Sequence, residues 1–158
     1  MDTLLQPLIS SLKEHDPKAD VVKVERAYEV AKTAHSGQLR KSGDDYITHP
    51  VAVAHILSEL GLNDATIIAA LLHDIGKPKT RKFESGGGVS FHHHEVVGAK
   101  IARKRLAAMR YPNDVIDSVT KLIELHLRFH GYGDGQWTDS AVRRYVRDAG
   151  DLLTHLHV

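Results

Sequence analysis

Six side chains in this sequence suit one another chemically: His49, His73, Asp74, Lys77, His94 and His126. His73 and Asp74 stand side by side after the apolar run Ala69-Ala70-Leu71-Leu72, which reads as the last turns of a helix. Imidazole and carboxylate are both metal ligands. A protonated His suits a helix C-terminus, whereas Asp74 meets the negative end of the macrodipole there, and a divalent cation between the two removes that penalty. Gly76, just beyond, is expected to take the left-handed turn that stops the helix. An isolated His-Asp pair is ordinarily a surface His beside a helix-ending Asp. Here His49 lies upstream, His92-His93-His94 and His126 lie downstream, and Lys77 follows at once, so a metal centre is the better reading.

The elements that must position these residues are helical. Leu4, Leu5, Leu8, Ile9 and Leu12 repeat at helical spacing, and Pro17 breaks the pattern. A second helix is expected from about Asp20 to His35, with Val24, Ala27, Tyr28, Ala31 and Ala34 on one face. After a polar, basic loop from Gly37 to Tyr46, Pro50 suits the first turn of a third helix and leaves His49 at its cap. That helix is expected to bury Val53, Ile56, Leu57 and Leu60 and to end at Gly61. Asn63 or Asp64 caps the fourth, which runs into His73-Asp74. Residues 75–92 read as irregular, with Gly86-Gly87-Gly88 and a short strand over Val89 to Phe91. Further helices follow from about Glu95 to Met109, from Pro112-Asn113 to Phe129 through Val115, Val119, Leu122, Ile123 and Leu125, and from Thr138 through Val142 to Val146, with a last short turn after Gly150. The expectation is an all-α bundle of about seven helices in one domain, residues 1–158.

Bulk composition narrows the classes. A chain of 158 residues with 42% hydrophobic and 26% charged residues fits one soluble domain with a real core. A net charge of +1 provides no global field for nucleic acid or membrane. The absence of Cys excludes disulfides and thiolate zinc sites and fits a reducing, cytoplasmic setting. The N-terminus lacks signal-peptide features, and the longest apolar run, Ile67 to Leu72, is too short to span a bilayer.

Metal binding then rests on where the ligands fall. His49 starts one helix and His73-Asp74 ends the next, across the tight turn Gly61-Leu62. Two helices joined so closely run antiparallel, which brings the three ligands together and leaves coordination positions open. N and O ligands without sulfur suit Mn, Fe, Co, Mg or Zn and do not choose among them. Such a site lowers the pKa of bound water and neutralises charge on a phosphoryl group. Lys77, Lys79, Arg81 and Lys82, beside the triple Gly, are candidates for contact with substrate phosphate. His55 reads as a surface or core-edge residue and His155 and His157 as residues without a role. Arg103-Lys104-Arg105 and Arg143-Arg144 read as solvated helix faces, with weak contact to a tRNA backbone as their alternative. Gly98-Ala99 suits close helix packing.

The spacing His49…His73-Asp74 resembles the HD superfamily of metal-dependent phosphohydrolases. Residues from about 20 to 74 resemble the hydrolase domain of RelA/SpoT enzymes, which act on (p)ppGpp. The matching text is Arg26-Ala27-Tyr28-Glu29-Val30-Ala31, Ala34-His35-Ser36-Gly37-Gln38, and Arg40 to Pro50 through Lys41-Ser42-Gly43 and Tyr46-Ile47-Thr48-His49. Residues 73–157 instead resemble the HD region of actinobacterial CCA-adding tRNA nucleotidyltransferases. That likeness runs through His73-Asp74-Ile75-Gly76-Lys77-Pro78, Gly86 to Ala99, His126 to Tyr132 and Trp137 to Arg144. The chain thus divides into a RelA/SpoT-like half, 1–74, and a CCA-enzyme-like half, 75–158. The changeover falls on the motif that both families share, which implies a recombinant or designed hybrid or else a natural mosaic.

The resemblances imply roles. His49, His73 and Asp74 match metal ligands, and Arg40, Lys41 and Ser42 match a loop that contacts the nucleotide. Lys77 matches a phosphate contact, and His94 and His126 extend the site toward a second metal or a catalytic role. His35 matches a residue outside the metal shell and is expected to stabilise its loop. Two departures stand out. RelA/SpoT enzymes carry a Glu-Asp pair soon after the His-Asp, where this chain has Gly76-Lys77-Pro78. Both families also supply a final Asp from a late helix, which the sequence does not reach by Val158. Asp139, ahead of Asp148 and Asp151, is the expected substitute.

The implied activity is metal-dependent hydrolysis of a nucleotide phosphate ester: a 2′,3′-cyclic nucleotide, a nucleoside monophosphate or a (p)ppGpp-like molecule. The alternatives are an inactive HD scaffold that binds metal or nucleotide, and a tRNA-binding module. CCA addition is not expected of this sequence, which carries no counterpart of the nucleotidyltransferase head with its paired carboxylates. If the two halves did not share a core, exposed helix faces would drive homodimerisation.

Overall fold

A computed structural model of the chain describes residues 2–132, with side chains through His126. Among the described residues seven helices and one small hairpin occur: α1 (Gln6–His15), α2 (Val21–Ala34), α3 (Thr48–Glu59), α4 (Asp64–Leu72), α5 (Lys77–Thr80), α6 (His94–Ala108) and α7 (Asn113–Tyr132), with β1 (Lys82–Phe83) antiparallel to β2 (Val89–Ser90). The fold is all-α, as the periodicity predicts. The helix expected from Thr138 lies outside the described residues. The single turn α5 takes its place in the count, inside a stretch expected to be irregular.

Local chemistry accounts for the helix limits. The Asp20 side chain caps α2 by accepting from the Lys23 amide, and Asn63 caps α4 by accepting from Thr66. At the end of α3, Gly61 has φ +79°, and the amides of Gly61 and Leu62 reach back to the carbonyls of Ser58 and Leu57. That pair of bonds is a Schellman closure, which needs the left-handed residue glycine supplies.

The α4 helix is the hub. Every residue from Thr66 to Leu72 is buried, and the helix packs on α2, α3 and α7. The α1 helix packs on α3, while α6 lies along α7. Buried side chains from Leu5 to Leu125 form one cluster, so residues before and after His73-Asp74 share a core.

Three expectations need correction. The buried face of α3 is Pro50, Val51, Ala54, Leu57 and Ser58, whereas Ile56 and Leu60 are 58% and 57% exposed. Small and polar residues take the inner stripe because α1 packs close to α3, where the Ser58 hydroxyl donates to Ser11. His49 lies inside the first turn of α3, since the helix already begins at Thr48. Gly76 is not left-handed: its φ is −81°, and glycine is required there for space. A Cβ on Gly76 would stand 2.3 Å from the His94 carbonyl oxygen and 2.6 Å from the Gly98 amide nitrogen.

Candidate metal centre

The site is built at the C-terminal end of α4, where His73 is the cap and Asp74 begins the following turn. Three neighbours deliver further candidate ligands there. His49 comes from the first turn of α3, His94 from the first residue of α6, and His126 from α7. The glycine contact between Gly76 and Gly98 lets the start of α6 come this close. His93, in the left-handed region at φ 61°, turns the chain into α6, leaving His92 and His93 exposed and His94 buried.

Asp74 is the centre of the cluster and only 3% exposed. Its Oδ2 lies 3.1 Å from His73 Nε2, 3.4 Å from His49 Nε2 and 3.6 Å from Lys77 Nζ, and accepts from the Tyr46 hydroxyl at 2.7 Å. Its Oδ1 lies 3.2 Å from His94 Nε2 and 3.7 Å from His126 Nε2. Two three-ligand groups therefore share one carboxylate: His49, His73 and Asp74, and Asp74, His94 and His126. The first is the more open, because the His49 side chain is 30% exposed, while those of His94 and His126 are 7% and 11% exposed.

Tautomers follow from the backbone. His73, His94 and His126 each place Nδ1 on the carbonyl three residues earlier: Ala70, Phe91 and Ile123. Nδ1–H is thereby the donor, and in that tautomer each ring turns an Nε2 lone pair toward Asp74. His94 Nε2 and His126 Nε2 are 3.2 Å apart, so two lone pairs meet each other and a carboxylate. Burial pushes the His126 imidazole below its ordinary value, which favours the neutral ring. The groups that favour the ionised form of Asp74 are the Tyr46 hydroxyl, which donates to its Oδ2, and the Lys77 ammonium 3.6 Å away. A buried nest of lone pairs around an ionised carboxylate fits a divalent cation, and the donor set of imidazole and carboxylate without sulfur fits Mn, Fe, Co or Zn.

Two participants have no metal-ligand spacing in the sequence. Tyr46 ties Asp74 to the loop before α3, and burial with the neighbouring Asp74 charge raises its phenol far above the ordinary value. His35 is 3% exposed, packs its ring on Tyr46 at 4.7 Å between centroids, and pairs its Nδ1 with Gln38 Oε1 at 2.8 Å. His35 thus stabilises its loop, as expected, and also backs Tyr46. A Tyr preceding the first His, within the same loop, was the one available sign.

Lys77 reaches the cluster. Its ammonium donates to the Tyr46 hydroxyl at 2.9 Å and lies between the rings of Tyr46 and Phe91. Arg40, Lys41 and Ser42 are exposed in the loop that ends at Tyr46, with Ser42 donating to Asp44. Lys79 is exposed on α5, and Arg81 lines a separate cavity with Pro78 and the turn after α2. Arg103, expected on a solvated face, donates to Asp117 and Thr120 and pins α6 to α7. His55 is a surface residue beside Glu59. Asp139, Asp148 and Asp151 lie outside the described residues.

The family model for the HD domain matches residues 46–151. The chain belongs to the HD domain family. This HD protein is similar to the bifunctional (p)ppGpp synthase/hydrolase RelA of Mycobacterium tuberculosis, 58% identical over 71 residues, which cover 45% of this chain and 10% of that protein. It is similar to a GTP pyrophosphokinase of Streptomyces coelicolor, 53% identical over 74 residues, 45% of this chain and 9% of the relative. A third relative is the bifunctional (p)ppGpp synthase/hydrolase SpoT of Escherichia coli, 47% identical over 72 residues, 46% of the chain and 10% of SpoT. The matched stretch spans about a tenth of the length of these curated relatives. No helix among the described residues is long and apolar enough to cross a membrane.

Proposed function

We propose that this HD domain is a metal-dependent phosphohydrolase acting on nucleotide phosphate esters. The observation that carries the reading is the convergence of four imidazoles on the two oxygens of Asp74. Membership of the HD family and the (p)ppGpp synthase/hydrolase names of the relatives support it. His49, His73 and Asp74 hold one metal, Mn first among the candidates, and Asp74, His94 and His126 have the donors for a second. When bound, the metal supplies Lewis-acid activation of water and neutralises phosphoryl charge.

The chain's own residues do the rest. Tyr46 holds Asp74 Oδ2 in place through its hydroxyl, and Lys77 presents an ammonium beside the open metal group, where a phosphoryl oxygen gains charge as it is attacked. Arg40, Lys41 and Ser42 on one rim and Lys79 on the other hold the nucleotide. A 2′,3′-cyclic nucleotide or a nucleoside monophosphate suits this site better than a (p)ppGpp-like substrate, because Gly76-Lys77-Pro78 stands where RelA/SpoT enzymes carry a Glu-Asp pair. One observation favours a second reading, a module that binds metal or nucleotide without turnover. Asp74 is the one carboxylate in either ligand group among the described residues.

Metal content of the purified protein, measured beside a His73→Ala/Asp74→Ala variant, decides between them. Roughly stoichiometric metal that vanishes in the variant, with hydrolysis of a cyclic nucleotide or monophosphate by the wild type, supports the hydrolase. Metal without turnover supports the binding module. No bound metal, and no thermal shift on adding Mn²⁺, overturns both.

A further inference from the structure

Arg81 does not join the metal centre. With Pro78 it walls a cavity of about 190 Å³ whose other side is Ala34, Ser36, Gly37 and Gln38, the end of α2 and the turn after it. Among the described residues, none of the side chains gathered around Asp74 lines this space.

Its polar chemistry is one-sided. Arg81 brings a guanidinium that lies over the Phe83 ring, 5.3 Å from the centroid. Ser36 brings a hydroxyl. The Gln38 carboxamide accepts at Oε1 from His35 Nδ1–H, which leaves its NH₂ group as a donor. Among the described residues, no Asp or Glu lines the cavity. A guanidinium-bearing residue and two residues with neutral donors among the lining side chains suit an oxyanion. The space exceeds what a single water needs and admits a small tetrahedral anion.

Both walls lead to Asp74. From Gln38 the path runs through the hydrogen bond to His35, the packed rings of His35 and Tyr46, and the Tyr46 hydroxyl on Asp74. On the other wall, Pro78 follows Lys77, whose ammonium is 3.6 Å from Asp74.

We propose that this cavity is a second ligand site, for a phosphate-class oxyanion, separate from the metal centre and coupled to it through Gln38, His35 and Tyr46. The anion is either free phosphate or a phosphate group borne by a nucleotide. The site needs no metal and so stands independently of the hydrolase reading.

Inorganic phosphate titrated into the full chain after chelation with EDTA, followed by NMR, tests the site. Saturable shifts are expected at the Gly37 and Gln38 amides and the Arg81 side-chain N–H, extending to the rings of His35 and Tyr46. Arg81→Ala should weaken binding at least tenfold, and Gln38→Glu, which puts a carboxylate in the anion's path, should do the same from the opposite wall. Adenosine 5′-monophosphate distinguishes the sources. Affinity equal to that of phosphate assigns the site to the free anion, and affinity tenfold tighter or more assigns it to a nucleotide's phosphate. Absence of saturable shifts at Gly37 and Gln38 with both ligands, or affinity unchanged in both variants, overturns the site. Shifts that stop short of His35 and Tyr46 overturn the coupling.

Discussion

Asp74 carries the site because one carboxylate serves two ligand groups while a single hydroxyl steadies it. Tyr46→Phe removes that donor yet keeps the ring that packs on His35. Loss of an outer partner of this kind costs roughly 10–100-fold in metal affinity, so a Mn²⁺ titration should show weaker binding with the thermal midpoint of the metal-free protein little changed. Gly76 constrains the same site sterically. A Cβ 2.3 Å from the His94 carbonyl must push α6 away, and overpacking of this kind costs about 1–3 kcal/mol. Gly76→Ala should therefore lower the urea midpoint and spoil the group containing His94 and His126 before the one containing His49 and His73. At this scale the membership of the cluster is legible in the sequence, since His49, His73, Asp74, Lys77, His94 and His126 all reach it. Tyr46 was not, because a phenol that steadies a carboxylate leaves no spacing signature. The basic, glycine-rich run groups Arg81 with substrate phosphate, whereas its position just after α5 puts it on a different cavity.

Helix limits followed closely from caps and breakers, but the orientation of α3 did not. Ile56 and Leu60 supply apolar character on a face that the neighbouring helices leave exposed, while Ala54 and Ser58 face α1. Leu57→Ala should cost about 2–5 kcal/mol by chemical denaturation, whereas Ile56→Ala should stay within about 0.5 kcal/mol of wild type. Equal costs would mean that the helix is rotated from the orientation described. A second test concerns the end of α6, where Arg110 holds φ 61° and its amide and that of Tyr111 close back on Ala107 and Leu106. The left-handed conformation costs a side-chain-bearing residue about 1–2 kcal/mol, and glycine avoids that penalty. Arg110→Gly should therefore raise the denaturation midpoint, in contrast to the usual effect of glycine near a helix.

Across the whole molecule, one buried cluster joins residues on both sides of His73-Asp74, so the exposed faces that would have forced dimerisation through unpaired halves do not arise among the described residues. The joint is further tied by Tyr111, whose hydroxyl donates to the Lys23 carbonyl across the sequence. Burial pushes its phenol up from 10.0 to about 12. The native state thus keeps this proton at pH values where the unfolded chain has lost it. The contribution is complete below pH 10 and is lost as pH rises through about 12, the sign expected for a raised pKa. Urea midpoints taken between about pH 9 and pH 12 should fall less steeply in Tyr111→Phe than in wild type. The sequence by itself determined the helical class, most helix ends and the ligand types, because periodicity, caps and donor chemistry are local properties. Only the tertiary structure decided which oxygen of Asp74 each imidazole meets, which face of α3 is buried, and that Gly76 is needed for clearance from α6. Those outcomes depend on how closely separate helices approach, a distance set by the packing of residues far apart in the chain.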